Sequence, residues 1–171
     1  MRTILLDISV LVLLTSFPSF AQQPIRDSLL EHMTGKWLLK GTIEGKETTH
    51  DIVTEWVLGH QYLQIKEVSR EKDLEGKPIY DAIVFIGLNK DLNQYSCLWL
   101  DNTGSGGLNA HAIGHAKRNG NKLEFLFKIS DNNIFHSTFV YNLQEDSWQW
   151  LMDNEENGKS QYFAKMKLTR E

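Results

Sequence analysis

The 171-residue sequence holds one cysteine, Cys97, so no internal disulfide can staple it. An oxidising compartment is therefore permitted but not exploited. Set within "YSCLWL", Cys97 reads as a small core residue rather than a nucleophile. Positive charge is nowhere concentrated, and the formal net charge is -4. That distribution argues against nucleic acid and anionic membrane surfaces as partners. No apolar run approaches the ~20 residues that a membrane-spanning helix needs. The motifs GxSxG, CxxC and HExxH are missing. The glycine-rich "TGSGGLN" lacks both the lysine and the following helix of a phosphate-binding loop, and reads as a mobile loop.

The opening segment has Arg2 near its start, an apolar run from Ile8 to Leu14, and Ser19-Phe20-Ala21 before Gln22. Small residues at the -3 and -1 positions of a cut after Ala21 make residues 1–21 an expected signal peptide. No cysteine follows the apolar run, so a lipid anchor is not expected. The expectation is an exported protein, periplasmic or extracellular, whose mature part is residues 22–171. A chain of that length suits one domain burying roughly 70% of its unfolded surface.

After the leader, "PIRDSLLEHMTG" reads as one short helix, with Ser28 and Glu31 spaced as a capping box and Gly35 placed to end it. From there the period becomes two. "KWLLKGTIE" alternates Trp37, Leu39, Gly41 and Ile43 against mostly polar neighbours, and "KLEFLFKIS" puts Leu123, Phe125, Phe127 and Ile129 on one face. Strands are predicted over 36–44, 47–58, 60–69, 78–88, 94–101, 108–117, 122–129, 134–143, 146–153 and 160–169. Turn signals such as "EGKP", "RNGNK" and "EENGK" separate them. The fold class is all-β, and an open meander this wide would expose two long edges. Closure into a roughly ten-stranded up-and-down barrel removes them and leaves room for a small ligand.

"HAIGHA" sets His111 and His115 four positions apart. On a helix that spacing could chelate one ion, but on a strand it separates them by roughly 13 Å, far beyond a shared metal. Gly114 and the following hairpin signal favour the strand, carrying one interior and one rim histidine. His50 shares strand parity with Ile52 and Trp56, so its side chain is expected inside. His32, His60 and His136 read as surface. Asp51, Glu55 and Glu124 alternate away from the apolar faces and read as solvated. No arginine falls inside a strand after the leader, since Arg70, Arg118 and Arg170 lie at ends or turns. An interior guanidinium for a fatty-acid carboxylate is thus not expected. The aromatic residues are spread over separate strands. Each alone reads as core, but together in a wide barrel they are expected to line a pocket. The expected lining is Trp37, His50, Trp56, Tyr80, Trp99, His111, Phe125, Phe139, Tyr141 and Trp148.

"TGKW" at 34–37 resembles the Gly-x-Trp opening of lipocalin-like (calycin) barrels. The succession "EWVLGHQYLQIKE", "GKPIYDAIVFIGLN" and "YSCLWLDNTG" resembles a bacterial family of exported lipocalin-like domains of unknown function, over most of residues 30–169. The resemblance implies a calycin barrel in which a basic residue near the end of the last strand, here Arg170, lies over the first-strand Trp37. Haem-binding nitrobindin-like barrels use a histidine near the C-terminal strands; this sequence has none after His136.

The expected function is binding of a small, mostly apolar, neutral molecule, with no cofactor or metal. The alternative is a barrel enzyme, isomerase or hydrolase, using His50 or His111 with Asp101. Further alternatives are a haem or metal binder and a filled barrel acting as an interaction domain. A carboxylate found within ~3 Å of His50 in a pocket would favour the enzyme.

Overall fold

The structure, a computed structural model, describes residues 27–104 and 109–171. The expected signal peptide lies outside the described residues, as does most of the glycine-rich loop. A short helix, α1 (Ser28–Met33), leads into strands β1 (Gly35–Ile43), β2 (Lys46–Val57), β3 (Tyr62–Ser69), β4 (Asp81–Asn89) and β5 (Gln94–Asp101). A 3-10 turn (Ala110–Ala112) precedes β6 (Ile113–Ala116), β7 (Arg118–Asn119), β8 (Lys122–Ser130), β9 (Asn133–Asn142), β10 (Ser147–Glu156) and β11 (Lys159–Arg170).

Each described strand pairs antiparallel with its sequence neighbour, except that β6 and β7 both pair with β8. The β1–β11 ladder joins the two ends of the chain, and the β6–β8 pairing closes the ring. The result is a closed ten-stranded antiparallel barrel with one extra short strand, as the alternation predicts. Tight two-residue hairpins join β1 to β2 through Glu44-Gly45 and β10 to β11 through Asn157-Gly158. All four residues have positive φ, the backbone that matches the twist of flanking strands.

Alternation places the core. On β2, His50, Ile52 and Thr54 are buried while Val53 and Glu55 face out. On β3 the inner row is Leu63, Ile65, Glu67 and Ser69. One end of the barrel is packed solid. There α1 buries Leu29, Leu30 and Met33 in one core with Trp37, Leu39, Leu123, Phe125, Phe139, Trp148 and Trp150. Phe139 stacks on Trp150 at 4.6 Å between centroids and meets Phe125 edge-on. Burial of rings this large removes 150–250 Å² each from water and dominates the stability of this half.

Trp37 closes the packed end. Its Nε1 donates to the last-turn carbonyl of Met33 at 2.7 Å, satisfying one of the helix's orphan acceptors. Arg170, opposite Trp37 in the β1–β11 register, lies over the indole with its guanidinium carbon 3.9 Å from the ring centroid. It also donates to the carbonyls of His32 and Thr34 and pairs with Asp146. The contact implied by the calycin resemblance is present, and it fixes the helix C-terminus as well as the barrel base.

Three local expectations are corrected. The helix is capped by Asp27 rather than Ser28: its Oδ1 accepts from the backbone N–H groups of Leu29 and Leu30 at 2.9 Å. The strand expected over 108–117 is shortened to four residues. Asn109 caps the 3-10 turn with its side chain, accepting from Ala112 N at 3.2 Å, a local bond that competes with strand pairing. Consequently neither His111 nor His115 is interior; both are exposed, and Gly114 and Ala116 face the barrel instead. The third is the bulge between Met152 and Asp153 in the β10–β11 ladder, which shifts the register of β11. Beyond it Phe163 turns toward the interior, and Tyr162, which unbroken alternation with Ala164, Met166 and Leu168 would put on the inner row, is exposed and bonds Thr42 Oγ1 at 2.8 Å.

Candidate functional site

The half of the barrel opposite α1 is not filled by side chains. It holds a cavity of about 970 Å³, open at the rim formed by the β1–β2 hairpin, the β5–β6 connection and the end of β8. Ligand pockets commonly fall within ~300–1,000 Å³. The inner wall is apolar and aromatic: Ile43, Trp99, Phe127, Phe135, Met152, Phe163 and Met166. Polar groups concentrate on one side, where Thr48, His50, Glu67, Glu71 and Tyr80 meet from β2, β3 and the segment between β3 and β4.

His50 and Glu67 are the buried members of that cluster, each 2% exposed. The His50 Nδ1 and Glu67 Oε1 atoms are 2.5 Å apart. On its other edge the imidazole meets Thr48 Oγ1 through Nε2 at 2.7 Å, and the Thr48 hydroxyl also reaches Glu71 Oε2 at 3.3 Å. Glu71 Oε1 accepts from Thr49 N at 2.9 Å, which holds it at the rim. The connected row therefore runs carboxylate, imidazole, hydroxyl, carboxylate, from the buried wall to the mouth. Tyr80 stacks on His50 at 5.5 Å, and its hydroxyl accepts from Trp99 Nε1 at 3.0 Å.

Burial pushes the Glu67 carboxyl above the usual carboxylate range, against the opposing pull of its bond to His50 and the His50 charge; nearby Asp101 adds to the rise. Glu67 Oε2 is buried with no hydrogen-bond partner among the described residues. Burial also raises the Tyr80 phenol, reinforced by the negative charges of Glu67 and Asp101, so Tyr80 stays a neutral hydroxyl. Cys97, 2% exposed, is likewise pushed up by burial, which suppresses its thiolate and fits a core role.

Of the ten residues expected to line a pocket, His50, Tyr80, Trp99 and His111 do so. His111 stands at the rim, where its Nδ1 meets the Lys128 carbonyl at 2.9 Å. The other six do not line this cavity. Trp37, Phe125, Phe139 and Trp148 are fully buried in the packed half, Tyr141 stacks on His32 near α1, and Trp56 stacks on His60 at 4.3 Å. The reason is the helix: by plugging one end, α1 turns those aromatics into core. Asp101, the expected partner of an interior histidine, lies at the rim and caps a turn through Thr103 and Gly104.

Glu67 is the cavity-wall residue that strand reading missed. The signal was present, since "YLQIKEVS" puts Glu67 on the same parity as Leu63 and Ile65. Mid-strand carboxylates default to the solvated face, and Glu67 is the exception because His50 is there to pair with it.

No family model matches this chain, and no curated protein matches it. A solved structure does. The crystal structure of Rv2717c from M. tuberculosis superposes with a TM-score of 0.53 at 13% identity, covering 83% of this chain and 94% of that one. The shared feature is the fold. The barrel fits a calycin-like architecture. No described helix is long and apolar enough to cross a membrane.

Proposed function

We propose that this chain is an exported lipocalin-like barrel that binds a small, mostly apolar, uncharged molecule in the open half of its interior. The observation that carries the reading is the cavity of about 970 Å³, with an aromatic and aliphatic wall and one localised polar cluster. Pockets built this way gain affinity from apolar burial and orientation from a few placed polar groups. The calycin-like fold and the leader-like residues 1–21 support the lipocalin and export parts of the reading. Native mass spectrometry of the processed protein, purified without detergent, tests it. An added mass that leaves on denaturation is expected; a bare mass together with no uptake of apolar probes would overturn the reading.

A second reading, a barrel hydrolase, draws on one observation. Thr48, His50 and Glu67 line up as hydroxyl, imidazole and buried carboxylate, at 2.7 and 2.5 Å. In that reading His50 takes the Thr48 proton as Oγ1 attacks an ester carbonyl. The alcohol leaves with that proton, and water then releases the acid and restores the hydroxyl. Glu71 competes for the same Thr48 proton, which ranks this reading second. Release of 4-nitrophenol from 4-nitrophenyl butyrate, abolished in both Thr48→Val and His50→Gln, would support it. A rate equal to that of the variants excludes it for this ester.

A further inference from the structure

We propose that the molecule held in this cavity presents a hydrogen-bond donor, an O–H or N–H group, to Glu67 Oε2, and carries no negative charge. The proposal rests on the cavity-binding reading above and adds the chemistry of the ligand's polar end.

The first observation is the state of Glu67. Its side chain is 2% exposed and lines the cavity wall, yet only one of its two carboxylate oxygens is used. Oε1 faces His50 Nδ1 at 2.5 Å, while Oε2 has no partner among the described residues. Buried polar atoms in folded proteins are nearly always satisfied, and an unpartnered one on a residue that lines a cavity is a place for a ligand group to complete the set.

The second observation fixes the sign of that group. The Thr48 hydroxyl has one proton to give, either to Glu71 or to His50 Nε2. If it goes to Glu71, His50 Nε2 carries its own proton, and a further proton sits between Nδ1 and Oε1. If it goes to His50 Nε2, Nδ1 must be the protonated nitrogen and donates to Oε1. In each arrangement a proton occupies the contact between Nδ1 and Oε1. The ionised form of Glu67 then has Oε2 as an open acceptor, so its partner is a donor.

The third observation is the charge around the mouth. Among the described residues, Glu44, Glu47, Glu71 and Asp101 line the cavity along with Glu67, against one lysine, Lys46, and no arginine. With no guanidinium in the wall, a carboxylate or sulfonate entering this space would meet carboxylates and lose its hydration without a counter-charge. The same acidic rim does not penalise an alcohol, a phenol or an amine.

The test uses three probes sharing one ring system: 1-naphthol, 1-methoxynaphthalene and 1-naphthoate. Each is titrated by calorimetry at pH 7 against the full chain and against Glu67→Gln. The expected result is that 1-naphthol binds at least about tenfold more tightly than its methyl ether, because the ether leaves the buried Oε2 without a donor. The naphthoate is expected to bind most weakly of the three. In Glu67→Gln the preference for 1-naphthol over the ether is expected to shrink to about threefold or less. Equal binding of 1-naphthol and its ether overturns this proposal while leaving the cavity reading intact, as does a preference that survives Glu67→Gln unchanged. Tighter binding of the naphthoate also overturns it. Failure of all three probes to bind overturns both this proposal and the reading it rests on.

Discussion

His50 and Glu67 are diagonal neighbours across β2 and β3, His50 standing opposite Ser69 and Glu67 opposite Ile52, and their facing atoms approach to 2.5 Å inside the barrel wall. A carboxylate held there is costly to ionise, and the cost has a pH signature. Its folded pKa is raised above the ordinary value near 4.5 because burial disfavours the charged form. The folded state therefore holds the proton more tightly than the unfolded chain. The stability this contributes is fully present below about pH 4.5 and is lost as pH rises through the folded pKa.

Glu67→Gln removes that dependence while keeping the shape. Melting temperatures of the two proteins compared at pH 4, 6 and 8 are expected to shift in favour of the variant as pH rises. A difference that stays flat across the range would show that Glu67 does not titrate as its burial requires.

Arg170 is predicted to stabilise the base through its stack on Trp37 and its bonds to the carbonyls of His32 and Thr34. Because the side chain is 37% exposed, solvent discounts each contribution. Arg170→Ala is expected to cost about 1–2 kcal/mol in urea unfolding, with Arg170→Lys recovering only part, since an ammonium lacks the planar fork. Full recovery by lysine would mean that charge alone acts here.

The helix cap distinguishes two assignments. Asp27 holds the N-terminus of α1 and also accepts from the Tyr95 hydroxyl at 2.5 Å. Asp27→Ala should destabilise by about 2 kcal/mol, whereas Ser28→Ala should change stability by about 0.5 kcal/mol or less. Equal losses in chemical denaturation would return the cap to Ser28.

Gly114 faces the ring of Phe127, and a Cβ at that position would lie 2.7 Å from Cζ. Gly114→Ala is expected to cost about 1–3 kcal/mol by overpacking, and Phe127→Leu in the same chain should restore a good part of it. Strictly additive losses in the double variant would place the strain elsewhere.

Much of this was readable from strand parity. The inward direction of His50 follows from its register with Ile52, and the barrel itself follows from ten alternating segments. Two features were not. The division into a packed half and an open half depends on where α1 docks, which strand periodicity does not encode; Phe125 and Trp99 have the same pattern in sequence and different fates in space. The inward turn of Phe163 depends on a bulge between Met152 and Asp153, where no glycine or proline marks the change. Glu67 lies between these cases, since its parity was plain but its type argued the other way.

Uptake of a small apolar molecule by the open half of the barrel can be read directly in a fluorescence titration with the neutral probe N-phenyl-1-naphthylamine, run on the wild-type chain and on Met152→Trp. Met152 is on the cavity wall, so the larger ring narrows the space the probe would fill. Saturable binding of one probe per chain, weakened in a Met152→Trp variant that keeps its melting temperature, is the predicted result. No saturable signal, or equal binding by the two proteins, would contradict that uptake.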